Sequence, residues 1–247
     1  MIFIILYTTM IQTLLFFPTI YCASKVVLSM YNKYYNVQYD THEIPCIIMR
    51  FFQGFGTIYM TSKYLYSTYS LPLFFSHIAT TQDVNFIYEY SLSYFLWDTL
   101  FTYIGNDPQK YLFIAHHSAC LYIILFSQVS TYEPKDLILG LFVSEITNPI
   151  YQCNDLLLFT KYKYNSDLIF LAGCSNFISI YLIRGIVFPH LLFVWFHSYN
   201  KNYQYIQEQS ISYQLYIYSL LLTMIGISIG SYVWLYHKYN YLITYYR

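Results

Sequence analysis

Charge is what this chain has least of. Asp, Glu, Lys and Arg make up 10% of its 247 residues, whereas soluble domains carry about 25%. The 12 basic and 12 acidic side chains cancel to a net charge of zero. That balance leaves no field to attract nucleic acid or an acidic partner, so no nucleic-acid partner is expected. Cysteine is scarce too. Cys22, Cys46, Cys120, Cys153 and Cys174 are odd in number and form no CxxC pair. This argues against a disulfide framework and against a zinc site, and small apolar packing is the better reading. No metal is expected. No internal repeat and no long Gly-, Ser- or Pro-rich linker divides the chain.

What fills the sequence is apolar and aromatic. Hydrophobic residues reach 57% and aromatics 23%, and the mean hydropathy is +0.39. The 33 tyrosines fit a codon bias as well as a function, so no single tyrosine is taken as a site residue. A helix needs about 20 mostly apolar residues to cross the hydrocarbon core. Seven segments meet that reading: residues 2–24, 45–66, 85–104, 111–130, 135–160, 168–196 and 213–236. The expected fold is all-α, a polytopic transmembrane helical bundle of about seven spans. The sixth segment would be about 43 Å long at 1.5 Å per residue. Gly185 and Pro189 predict a kink or break within it. The first segment lacks a charged leading region, and its apolar run is too long for a cleaved signal, so it reads as an uncleaved anchor.

Loop charges set the orientation. With a lumenal N-terminus and seven crossings, the cytosolic side holds Lys25, Lys33, Lys110, Lys161, Lys163, Lys238 and Arg247. The lumenal side holds Lys63, Lys135 and Lys201. The loop between Ser67 and Val84 is too short for a separate domain.

Polar groups inside such spans are costly and are therefore candidates for a site. They are Arg50, Asp98, His116, His117, Glu145, Asp155 and Arg184, with Asn148 beside Glu145. His116 and His117 lie about 100° apart around a helix, so they do not grip one ion and their rings point into different parts of the interior. Either ring is suited to act as a general base. Equally, both serve as interhelical hydrogen-bonders satisfied by Asp98 or Glu145. In "VSEITNPIYQCND" (143–155), Glu145 and Asn148 share a face, and Pro149 predicts a kink. Arg184 is expected to pair with Glu145 or Asp98; the alternative is binding of a lipid head-group phosphate if it lies near an interface. Internal ion pairing and a functional cavity both remain open at this point.

Four stretches in order carry a resemblance: "YFLWDTLFTYIG" (94–105), "KYLFIAHHSACLY" (110–122), "LFVSEITNPIYQCN" (141–154) and "LIRGIVFPH" (182–190). Together they resemble the TLC-domain family, which includes the ceramide synthases and the TRAM translocon proteins. The resemblance covers roughly residues 45–240, leaving residues 1–44 as an N-terminal transmembrane anchor and loop. It implies a six-span core with an intramembrane pocket around His116 and His117, the candidate catalytic residues. Asp98, Glu145, Asn148, Asp155 and Arg184 would supply a pocket or its ion pairs. The ceramide synthases' second motif, His-Asp with a following Asp, is absent; "SEITNPIYQCND" stands in its place. The sequence is closer to the small TLC-domain proteins than to true ceramide synthases. The resemblance implies lipid handling, with a membrane lipid or fatty acyl chain as partner, in the endoplasmic reticulum or a related membrane. An acyl-CoA-dependent N-acyltransferase and a translocon-associated structural protein are the alternatives. No cofactor is implied; acyl-CoA enters as a substrate if the protein is an acyltransferase. Nothing in the sequence argues for an oligomer.

Overall fold

The computed structural model describes residues 2–68, 82–105, 110–130, 134–160 and 166–245. Most of the expected loop between Ser67 and Val84 lies outside them, as do Lys161, Lys163 and Arg247. The described chain is helical, with no strand among the described residues. Its elements are α1 (Ile2–Tyr35), α2 (Glu43–Ser67), α3 (Gln82–Ile104), α4 (Lys110–Ser130), α5 (Pro134–Glu145) and α6 (Asn148–Phe159). α7 (Ser166–Ile180) then runs through a π-helical stretch (Tyr181–Val187) into α8 (Phe188–Lys201), followed by α9 (Tyr203–Glu208) and α10 (Ile211–Tyr245).

Local chemistry explains the ends. Asn36 takes a φ of 50°, a conformation that Asn tolerates better than most residues. This lets Val37 N–H reach back to the Asn32 carbonyl at 3.1 Å, which closes α1 with a Schellman-type turn. Asp40 Oδ1 then accepts the N–H groups of His42 (2.7 Å) and Glu43 (2.9 Å) and opens α2.

Proline governs the interruptions, in a different way each time. Each proline lacks the N–H that would bond the carbonyl four residues back. At Pro18 the orphan is the Leu14 carbonyl, and Trp97 Nε1 of α3 donates to it at 2.8 Å, so α1 continues unbroken. At Pro189 the orphan is the Gly185 carbonyl, which takes the Tyr232 hydroxyl of α10 at 3.0 Å. The sixth segment therefore stays one continuous helical rod. It widens through i→i−5 bonding, Phe188 N–H to Ile183 O; of the expected kink or break, the break does not occur. At Pro149 the chain does break: α5 ends at Glu145 and α6 begins at Asn148. Trp97→Phe keeps a ring but strands the Leu14 carbonyl. It is expected to lower stability by about 1–3 kcal/mol, read as an earlier melting transition of the detergent-solubilised protein.

α2 lies at the centre of the first half, against α1, α3, α5 and α6, and α10 closes the second half against α4, α7 and α8. Gly54 permits the tightest crossing near the site. A Cβ there would meet Pro149 Cδ at 3.0 Å and Asn148 Cβ at 3.2 Å, so the start of α6 sits directly on α2. Phe17 and Tyr21 of α1 share one core with residues of α2, α3 and α4.

The outside is apolar. Val27, Met30, Leu171, Phe193, Leu222 and Ile229 are each more than 60% exposed. Large exposed apolar surfaces are foreign to soluble monomers and natural to a lipid-facing bundle. Four helical stretches are long and apolar enough to cross a membrane: Ile11–Tyr35, Lys110–Gln128, Asp167–Lys201 and Ile211–Asn240. The molecule is a helical membrane bundle. Of the other expected spans, α2 and α3 carry several polar groups and the fifth is split into two 12-residue helices. The first span also runs on to Tyr35, well past the expected end at residue 24.

Candidate functional site

Asp98 is the hub of the site. Its neighbours on α3 at four-residue steps, Tyr94 and Thr102, lie on the same face. The carboxylate is 1% exposed and accepts Arg50 Nε of α2 at 2.8 Å. Arg50 also donates to Thr102 Oγ1 at 3.0 Å. The other carboxylate oxygen accepts the Tyr94 hydroxyl at 3.1 Å. It also lies 3.6 Å from His117 Nε2 of α4. An ion pair taken this far out of water holds only when the remaining lone pairs are filled. Here Tyr94 fills one of them, and His117 stands beside it just beyond hydrogen-bond distance.

The second cluster forms at the α5–α6 break. Because Pro149 ends the helix there, Glu145 and Asn148 flank the turn and Asn148 Nδ2 donates to the Glu145 carboxylate. Asn148 Oδ1 accepts Arg184 Nη2 at 3.2 Å, and the same nitrogen donates to the Ser144 carbonyl. Gln53 of α2 also reaches the Glu145 carboxylate by hydrogen bond. The expected direct pairing of Arg184 with Glu145 or Asp98 does not form; no carboxylate lies within 4 Å of Arg184 among the described residues. Asn148 stands between the two charges, giving a proton to one and taking one from the other. The wide π-helical stretch turns Arg184 inward, where it is 6% exposed.

These two clusters face one cavity of about 290 Å³. Arg50, Asp98, His116, His117, Glu145, Asn148 and Arg184 all line it. Asp155 does not; it sits behind the rim, 3.9 Å from the ammonium of Lys238, which does line it. The histidines correct one expectation. Their helical offset predicts diverging rings, yet both reach the cavity with centroids 5.5 Å apart. The reason is that the cavity spans both flanks of α4. His117 leans toward Asp98 on α3. His116 leans toward Trp234 on α10, ring centroids 5.8 Å apart, with the Cys120 thiol 3.9 Å from its nearer nitrogen. Glu145 orients neither ring and is engaged by Asn148 and Gln53 instead.

Sequence reasoning missed several lining residues: Tyr94, Gln152, Trp234, His237 and Lys238. Tyr94 carried a signal, its four-residue step from Asp98. Those on α10 carried none, because their nearness depends on how the last helix closes on α4 and α7. Four lining residues keep a buried polar atom without a partner: His117 Nδ1, Gln152 Oε1, Arg184 Nε and Trp234 Nε1. Such atoms are costly to leave unfilled.

Two comparisons with known proteins cover this part of the chain. The family model for the TLC domain matches residues 40–238, which hold every residue of the cavity. A TLC domain-containing protein of Arabidopsis thaliana is 32% identical over 107 residues, covering 43% of this chain and 41% of that protein. The aligned stretch thus spans about two-fifths of the relative's length. The match over most of its length assigns the chain: it belongs to the TLC-domain family.

Proposed function

We propose that this membrane protein handles lipid, and that its cavity receives the polar head of an amphiphile. One observation carries the reading. Charged and polar side chains from helices across the bundle converge on an internal space, although large apolar side chains face outward along the spans. Four of their polar atoms are still unfilled. Polar groups at membrane depth are expensive and persist where they bind something. At 290 Å³ the space sits at the lower limit of ligand pockets, about 300–1,000 Å³. It therefore suits a head group, with the acyl chains lying elsewhere. The reading includes a multi-pass protein of the endoplasmic reticulum or a related membrane with its N-terminus lumenal, on the loop asymmetry of Lys and Arg. Purification of the full chain in mild detergent, followed by mass spectrometry, tests it. Stoichiometric lipid is expected; recovery of lipid-free protein overturns it.

A specific observation favours a second reading, acyl transfer. His117 is held between Asp98 and the cavity. With the Nε2 proton turned to Asp98, the lone pair of Nδ1 is unpartnered at the cavity wall. Nδ1 would take the proton of an amine as its nitrogen attacks the thioester carbon of acyl-CoA. The C–N bond forms, the C–S bond breaks, and the proton leaves with the thiolate. Supplied with sphinganine and acyl-CoA, the purified protein would then form ceramide. Loss of a general base lowers the rate by about 10²–10⁴-fold. His117→Ala leaving the rate untouched, or no ceramide from the native protein, sinks this reading and leaves the first standing.

A further inference from the structure

We infer that the cavity holds a phosphate subsite, so that the amphiphile it takes is a phosphate-bearing lipid; this rests on the lipid-handling reading above. The argument begins with Arg184, a guanidinium 6% exposed. It is fastened from behind by the Ser144 carbonyl and the Asn148 amide oxygen, both through Nη2. No carboxylate neutralises it within 4 Å among the described residues. Its Nε–H has no partner. The Trp234 ring lies 5.2 Å from the guanidinium carbon, and its own Nε1–H is equally unfilled. Two unsatisfied donors, one of them cationic, therefore border the same space. The ammonium of Lys238, one helical turn beyond Trp234, lines it as well. A buried cation joined to Glu145 only through the Asn148 amide leaves its open Nε side to a second anion.

Which anion follows from geometry. Carboxylate and phosphate both pair two-pronged with the Nε and Nη2 edge of guanidinium. Here Nη2 is already occupied, so that edge is half engaged and single donors remain, Nε and the indole N–H. Three tetrahedral phosphate oxygens accept such single bonds from separate donors more readily than two coplanar carboxylate oxygens. Gln152 Oε1, the unfilled acceptor of the same wall, then faces a hydroxyl or amine next to the phosphate. The unpaired atoms thus describe an oxyanion with a neighbouring donor, the chemistry of a phospholipid head.

The test is a titration of the full chain in detergent with four probes, read by thermal shift. They are dioleoylphosphatidic acid, dioleoylglycerol, oleic acid and inorganic phosphate. Phosphatidic acid is expected to stabilise the protein at concentrations at least about tenfold below dioleoylglycerol or oleic acid, since a hydrogen bond to a charged group shifts affinity by about that factor. Arg184→Lys keeps the charge and removes Nε; it is expected to weaken phosphatidic acid about tenfold. Trp234→Phe keeps the ring and removes the N–H; it should weaken phosphatidic acid severalfold while leaving dioleoylglycerol unchanged. If Arg184→Lys does not fold, Trp234→Phe alone decides. Equal binding of phosphatidic acid and dioleoylglycerol, indifferent to both substitutions, overturns the phosphate subsite and leaves the lipid reading intact. Oleic acid binding as tightly as phosphatidic acid also overturns it. Inorganic phosphate binding lost in Arg184→Lys, with none of the three amphiphiles bound, supports the anion site and overturns the lipid reading. Binding of none of the four probes overturns both.

Discussion

Asp98→Ala is expected to destabilise the folded bundle by about 3–5 kcal/mol, because it leaves Arg50 buried without its counter-charge. The carboxylate accepts Arg50 Nε at 2.8 Å, and it also receives the Tyr94 hydroxyl. Arg50 cannot swing out to water readily; its side chain is 12% exposed. A fall in the melting temperature of the purified protein, with loss of the folded peak on size exclusion, would record the effect. The molecule supplies its own control. Lys63 and Asp83 form a pair at 3.7 Å with side chains 65% and 70% exposed. Asp83→Ala should cost no more than about 1 kcal/mol. The double substitution Arg50→Met with Asp98→Ala removes both charges and should recover much of the loss. Equal costs for Asp98→Ala and Asp83→Ala would show that the Asp98 hub is not desolvated.

Asn148→Leu carries the next largest cost, about 2–4 kcal/mol, from two hydrogen bonds to charged groups lost together. Leucine matches asparagine in size but can neither donate to Glu145 nor accept from Arg184. The two opposite charges then lose the amide that joins them, although Gln53 still reaches Glu145. The side chain also lies against α2 at Gly54, where the methyl groups of leucine, bulkier than a planar amide, have less room. Thermal unfolding checks the cost. Coupling checks the bridge: Asn148→Leu with Glu145→Gln should cost less than the sum of the single changes. Strict additivity would mean that Asn148 and Glu145 act apart.

Much of this was legible in the chain, for particular reasons. His116, His117, Asp98, Glu145 and Arg184 stood out because a charge or imidazole amid apolar residues has a high cost unless partnered. Their order matched a family pattern that the comparisons bear out. Pro149 announced a kink, because no proline donates to a helix carbonyl, and the helix ends there outright. Gly185 and Pro189 announced a kink or a break, and no break occurred. The same missing N–H was compensated by Tyr232, a residue 43 positions away, and nothing near Pro189 foretold it. The expected Arg184 ion pair failed for a similar reason. Asn148 was within reach of both charges and took the place between them.

What the sequence determined alone is the solvent. A chain 57% hydrophobic and 10% charged, with apolar runs of helical length, satisfies its backbone in lipid only as helices. It also determined which side chains must turn inward, since lipid penalises every exposed charge. The tertiary structure decided which of them meet. Arg50 finds Asp98 rather than Glu145, and Trp234 and Lys238 join a cavity begun more than a hundred residues earlier. Spacing along a helix fixes which residues share a face, but the rotation and depth of each helix against its neighbours set the partners. Those depend on the summed packing of the whole bundle, including the close crossing at Gly54 and the π-helical stretch that brings Arg184 inward.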